Sequence, residues 1–124
     1  MPRTDHGLFH RWHSKFAEAF HGIALVAKYE SSFRVHLVAA VCVIAVATIL
    51  KCDFLEWCLL LGSIGAVLAA EAFNAAVETL FHALDDATKQ RMTGCLDRAA
   101  GAVLLTAIFA ATIGTIVFVR KMIL

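Results

Sequence analysis

The sequence is poor in everything that breaks or staples a chain. Its single proline is Pro2, so no later position loses a backbone donor to proline. Charged residues make up 17% and the formal net charge is +1, so no overall positive field supports a nucleic-acid partner. The four cysteines, Cys42, Cys52, Cys58 and Cys95, form no CxxC or other ligand spacing and read as small apolar residues. There is no P-loop, no GxGxxG and no nucleophile elbow, so any nucleotide site must be of an unusual type. The first residues, MPRTDHGLFHRWHSKF, lack an apolar h-region and a small-residue cleavage site and do not read as a signal peptide. No linker or low-complexity stretch divides the chain, so residues 1–124 are expected to form one domain.

What the sequence does have is apolar bulk. Hydrophobic residues make up 60%, with a mean hydropathy of +0.77. A soluble domain holds about 45–50% apolar residues. Here they fall in long blocks, which places the chain in the membrane class. Residues 8–28 are expected to form an amphipathic surface helix. Phe9, Trp12, Phe16, Phe20, Ile23 and Ala27 recur at steps of three or four, with Arg11, Lys15 and Glu18 off that stripe. Three spans follow: residues 34–51, with an apolar run at 35–50, then 54–84 and 99–119. A tight turn at Lys51-Cys52-Asp53 joins the first two, and 85–98 reads as a polar loop. The expected fold is all-α integral membrane, a surface helix plus three transmembrane helices.

Lys/Arg counting sets the expected orientation. The N-terminal segment and the 85–98 loop hold Arg3, Arg11, Lys15, Lys28, Arg34, Lys89, Arg91 and Arg98. The other side holds Lys51, Arg120 and Lys121. The richer side is expected to be cytoplasmic, with the N-terminus inside. Gly62, Ala66 and Ala70, and Ala110 and Gly114, are spaced by four and predict close helix contacts.

The second span carries the informative residues. At 1.5 Å per residue its 31 residues reach about 46 Å, more than the hydrocarbon core of about 30 Å. Glu71 lies about 26 Å from Phe54 and Glu78 about 36 Å, with Asn74 between them. Their spacing of i, i+3, i+7 puts all three on one face. Glu30 before the first span and Asp97 before the third are expected at the same level as Glu78. Three carboxylates so gathered need a cation, supplied by Lys or Arg or by a hard divalent ion such as Mg²⁺. An acid at lipid depth below a polyanionic site at the water line points to a two-phase reaction. A lipid hydroxyl would give its proton to Glu71, and a metal-bound phosphate donor would meet Glu30 and Glu78. The competing reading is that these residues only hold helices together, which carries more weight for Asn74 than for the intramembrane acids. Glu56, beside Trp57 at the opposite interface, is expected to meet water or headgroups. His6, His10 and His13 share a helical face that is more often solvated than metal-binding. His36 and His82 carry no spacing signal.

These residues resemble a known family, the small prokaryotic integral-membrane diacylglycerol kinase and undecaprenol kinase family, from about Phe16 to Val119. The carrying motifs are Glu71-Ala-Phe-Asn74-Ala-Ala-Val-Glu78, Asp97-Arg-Ala-Ala-Gly101-Ala-Val, and Phe20-His-Gly22 with Glu30 and Phe33-Arg34. The resemblance implies a homotrimer with a site shared between subunits, ATP as donor, Mg²⁺ as cofactor and a membrane lipid alcohol as acceptor. It implies Glu71 as proton acceptor, Glu30 and Glu78 at the metal, and Asn74 and Asp97 at the nucleotide end. Arg11 would meet ATP phosphates, and Arg34, Trp57 and Ala100 would lie near the lipid path. Two positions depart from the family pattern: Leu96 stands where lysine is usual, and Ala75 where serine or threonine is common. The expected activity is phosphorylation of diacylglycerol to phosphatidic acid. Undecaprenol phosphorylation, a kinase fold without catalysis, and a non-catalytic membrane assembly subunit are the alternatives.

Overall fold

A computed structural model describes residues 6–124. Among the described residues the backbone forms five helices: α1 (His6–Tyr29), α2 (Ser31–Ile49), α3 (Phe54–His82), α4 (Asp86–Arg91) and α5 (Cys95–Ile123). Helices α2, α3 and α5 are each long and apolar enough to cross a membrane. No strand occurs among the described residues. Arg3 lies outside the described residues, as does the His6 side chain.

Helix bounds depart from the sequence expectation, chiefly at the start of α2 and around the 85–98 segment. Helix α2 begins at Ser31, so Arg34 sits within its first turn. The polar 85–98 segment is not a loop throughout. Asp85 caps α4 by accepting the Thr88 N–H at 3.2 Å and the Thr88 hydroxyl at 2.5 Å. These bonds, the hydroxyl's first, hold the Asp85 carboxyl below its ordinary value. Gly94 then takes φ +81°, a left-handed conformation that favours glycine, and α5 starts at once behind it. Asp97 therefore lies in the first turn of α5, where a carboxylate complements the helix dipole.

The α2–α3 turn closes with both bonds of a Schellman motif. The Cys52 N–H donates to the Ala47 carbonyl at 3.1 Å and the Lys51 N–H to Thr48 at 3.2 Å. Lys51 occupies the left-handed position, φ 53°, that glycine usually fills. Asp53 then starts α3 with a capping box. It accepts the Glu56 N–H at 2.9 Å, while the Glu56 carboxylate accepts the Asp53 N–H at 2.8 Å.

Helix α3 is the central element, packed along α5 and, over a shorter length, against α2; α1 touches both α2 and α3 loosely. The core is thin: Ala47, Leu60 and Val117 are buried, with Val43, Cys52, Trp57, Ile113 and Phe118 packed around them. Most large apolar side chains of α2, α3 and α5 face outward, as lipid-facing residues do. Hydroxyls within the apolar stretches are satisfied locally. Thr48, Ser63, Thr112 and Thr115 each donate to the carbonyl four residues earlier.

The small-residue pattern does not bring backbones together within the chain. A Cβ placed on Gly62 or Gly114 would meet nothing within 4 Å. Ala110 and Gly114 instead line an open cleft of roughly 520 Å³ between α2, α3 and α5.

Candidate functional site

Register decides which side chains meet. Ala47 of α2 packs with Leu60 of α3, and the two helices run antiparallel. Eleven residues is close to three whole turns, so stepping eleven back along α2 and eleven forward along α3 stays on the facing sides. Those steps arrive at His36 and Glu71. Their side chains are in contact, His36 Nε2 to Glu71 Oε1, at 3.1 Å. Ala40 and Val67, one turn nearer the core on each helix, are buried between the two levels. Glu71 is itself buried at 6% exposure, while His36 is half-buried and lines the head of the apolar cleft.

The same face of α3 continues upward as a ladder. Asn74 is half-buried one turn beyond Glu71. Glu78 follows, more open, with His82 Nε2 3.6 Å from its carboxylate. Each acid of the ladder thus has a histidine at hand. Neither histidine was legible as a site residue, because one partner comes from another helix and the other is an ordinary i,i+4 neighbour.

Glu30 occupies the one-residue break between α1 and α2, in extended conformation at φ −102°, ψ 109°. It is the N-cap of α2 but does not spend its side chain on the cap. Glu30 lines a second groove, roughly 670 Å³, between α1 and α3, with Tyr29, Ala75, Ala76 and Thr79 among its walls. Arg34 holds this corner: its guanidinium donates to the Ala27 carbonyl at 3.3 Å and the Lys28 carbonyl at 2.5 Å. It caps α1 and is committed there.

The expected gathering of Glu30, Glu78 and Asp97 is not found within one chain. No group of three or more His, Cys, Asp or Glu among the described residues is placed to hold a metal ion. Asp97 is exposed on α5 and does not line the α1 groove. Glu30 and Glu78 are hard oxygen donors. A divalent ion that takes one or two carboxylates and completes its shell with phosphate oxygens and water would suit such donors. Arg11 is exposed on α1, in a shallow hollow with Trp12 and Lys15. Ala100 is exposed on the second turn of α5. Trp57 is far from the ladder, about 21 Å along α3 from Glu71, in the core at the opposite end. The Leu96 position is half-buried. Of the nearby cations, Lys89 lies over the Phe81 ring at 6.0 Å, while Arg91 and Arg98 are exposed.

Glu56 corrects an expectation. It does not face water or headgroups but is buried at 6% exposure. Besides its part in the capping box, its Oε2 meets Lys121 Nζ of α5 at 3.0 Å. It ties the starting end of α3 to the finishing end of α5.

The arrangement is that of a three-span membrane protein with a buried acid at one end of its central helix and further carboxylates above it. Comparison with known proteins gives that class its name. The model of the family described as prokaryotic diacylglycerol kinase matches residues 17–118. Undecaprenol kinase from Bacillus subtilis (strain 168) is 28% identical over 123 residues, covering 98% of this chain and 100% of that protein. No solved structure matches. The chain belongs to the prokaryotic diacylglycerol kinase family. It is a lipid kinase of the membrane, transferring phosphate to an alcohol, and its family uses a divalent metal.

Proposed function

We propose that the protein phosphorylates a membrane polyprenol, undecaprenol, with ATP, and that Glu71 takes the proton of the acceptor hydroxyl. The observation that carries the mechanism is Glu71, a buried acid on a membrane-crossing helix, in contact with His36, which lines a cleft between the spans. A carboxylate there is costly unless used, and a hydroxyl arriving from lipid would meet it first. The choice of polyprenol rests on the full-length match to undecaprenol kinase. Diacylglycerol is the second reading, favoured by the description of the family model.

In this reading the ladder separates two tasks. Glu71 accepts the proton at lipid depth. Glu78, with Glu30 from the α1–α2 corner, holds Mg²⁺, which offsets charge on the phosphates when bound. Asn74 orients the phosphate chain between them, and Asp97 and Arg11 serve the nucleotide end. A single chain leaves these groups on separate walls, which favours a site completed by neighbouring copies in a homotrimer. The N-terminus lies in the cytoplasm, where ATP is, and α1 lies in the interface with its exposed stripe of Phe9, Trp12, Phe16 and Phe20 in lipid. Arg34 and Trp57 act through structure, since one caps α1 and the other packs in the core.

The test is phosphate transfer by purified protein in mixed micelles, with MgATP and either undecaprenol or diacylglycerol. Transfer to undecaprenol is expected to be the faster. Faster transfer to diacylglycerol moves the assignment to the second reading, and transfer to neither refutes both.

A further inference from the structure

The histidine beside the buried acid has no role in what precedes. A helical glutamate has three side-chain torsions, and nothing in α3 alone fixes where its carboxylate points. The His36 ring does: Nε2 stands 3.1 Å from Oε1. Ala40 and Val67, buried one turn away, hold α2 and α3 together at this level. A carboxylate offers about four acceptor sites on two oxygens, and one imidazole N–H uses one of them. The second oxygen is left for another donor.

We propose that His36 is a positioning residue for Glu71, holding Oε1 so that Oε2 faces the acceptor hydroxyl. The proposal rests on the reading that Glu71 takes the hydroxyl proton. In the step it serves, the lipid O–H bond breaks and its proton passes to Oε2. The lipid oxygen bonds to the γ-phosphorus, and the bond from that phosphorus to the β,γ-bridging oxygen breaks, its electron pair leaving with ADP. Glu71 returns to the carboxylate by releasing the proton to solvent. His36 takes no part in the transfer; it keeps an N–H on Oε1 throughout. A histidine that only satisfies a buried acid would affect stability, whereas one that aims the acid affects turnover.

The experiment measures kcat and KM separately in mixed micelles. His36→Ala is expected to lower kcat about 10- to 100-fold, the scale of a reacting group displaced by an ångström, with KM for MgATP within about twofold. His36→Gln keeps an N–H at similar reach and is expected to recover kcat to within about fivefold of the wild type. An unchanged kcat in His36→Ala overturns the proposal, as does a glutamine variant no faster than the alanine one. A second arm does not depend on turnover. In ¹⁵N-histidine NMR of the whole protein, His36 is expected to show a protonated Nε2, and Glu71→Gln to shift the His36 signals more than those of His82. Identical His36 signals in both proteins overturn the proposal. A wild-type protein inactive on both lipids would refute the proposed function, and the NMR arm would still decide whether the pair exists.

Discussion

Glu56 and Glu71 lie on the same helix, about 22 Å apart, and are equally buried at 6% exposure. Their surroundings differ. Glu56 accepts the Asp53 N–H in a capping box and pairs with Lys121. Glu71 has one ionisable partner among the described residues, His36, which is charged only if protonated. Burial of an acid in a membrane helix therefore does not by itself mark function. An acid that both closes a helix cap and pairs with a fixed cation is a structural tie. An acid with no cap to close, paired with a histidine in place of a fixed cation, is available for chemistry.

The largest expected effect lies at the available acid. Glu71→Gln should lower kcat by about 10²–10⁴-fold, the usual contribution of a general base, while leaving nucleotide binding and the thermal midpoint near wild type. A kinetic assay beside an unfolding scan in detergent checks both halves. At the tied acid the pattern should invert. Lys121→Met leaves the Glu56 carboxylate buried without its cation and should lower the midpoint by about 5 °C or more. Turnover per folded molecule should stay within about threefold of wild type. Adding Glu56→Gln to Lys121→Met should restore part of the lost midpoint, because no buried charge then lacks a partner.

Smaller effects sharpen the contrast between the two ends. Leu96→Lys returns a cation to the start of α5 and should lower KM for MgATP by about two- to tenfold if no other cation serves there. An unchanged KM would mean that Arg98, Arg91 or Lys89 already does. At the Glu56 end, Lys51→Gly removes a left-handed non-glycine residue and should stabilise the α2–α3 turn by about 0.5–1 kcal/mol, read from the midpoint. The least effect is at Asp85. Its carboxyl is held low by Thr88, so the α4 cap is complete above the ordinary carboxylate value and is lost as pH falls through the lowered one. Faster exchange of the Thr88 amide as pH falls through that range, corrected for intrinsic exchange, would show it.

The three long helices were legible because their apolar runs are long and their bounding charges few. The ladder was legible because Glu71, Asn74 and Glu78 lie within one helix, where spacing alone fixes the face. What lay between elements was not. The His36–Glu71 contact follows from an eleven-residue step on two antiparallel helices, but only once Ala47 is known to pack with Leu60. The fate of Glu56 depended on Lys121, some 65 residues later in the chain. Helix α4 and the early start of α5 hinge on the Asp85 cap and on Gly94, local signals within a stretch whose polarity reads as loop.

The central claim is that these two equally buried acids do different work. The most direct measurement is phosphate transfer from MgATP to undecaprenol and to diacylglycerol, comparing wild type, Glu71→Gln and Glu56→Gln, each normalised to folded protein. The account predicts that Glu56→Gln turns over near the wild-type rate and that Glu71→Gln is at least about a hundredfold slower. Equal rates in the two variants, or a faster Glu71→Gln, would contradict it.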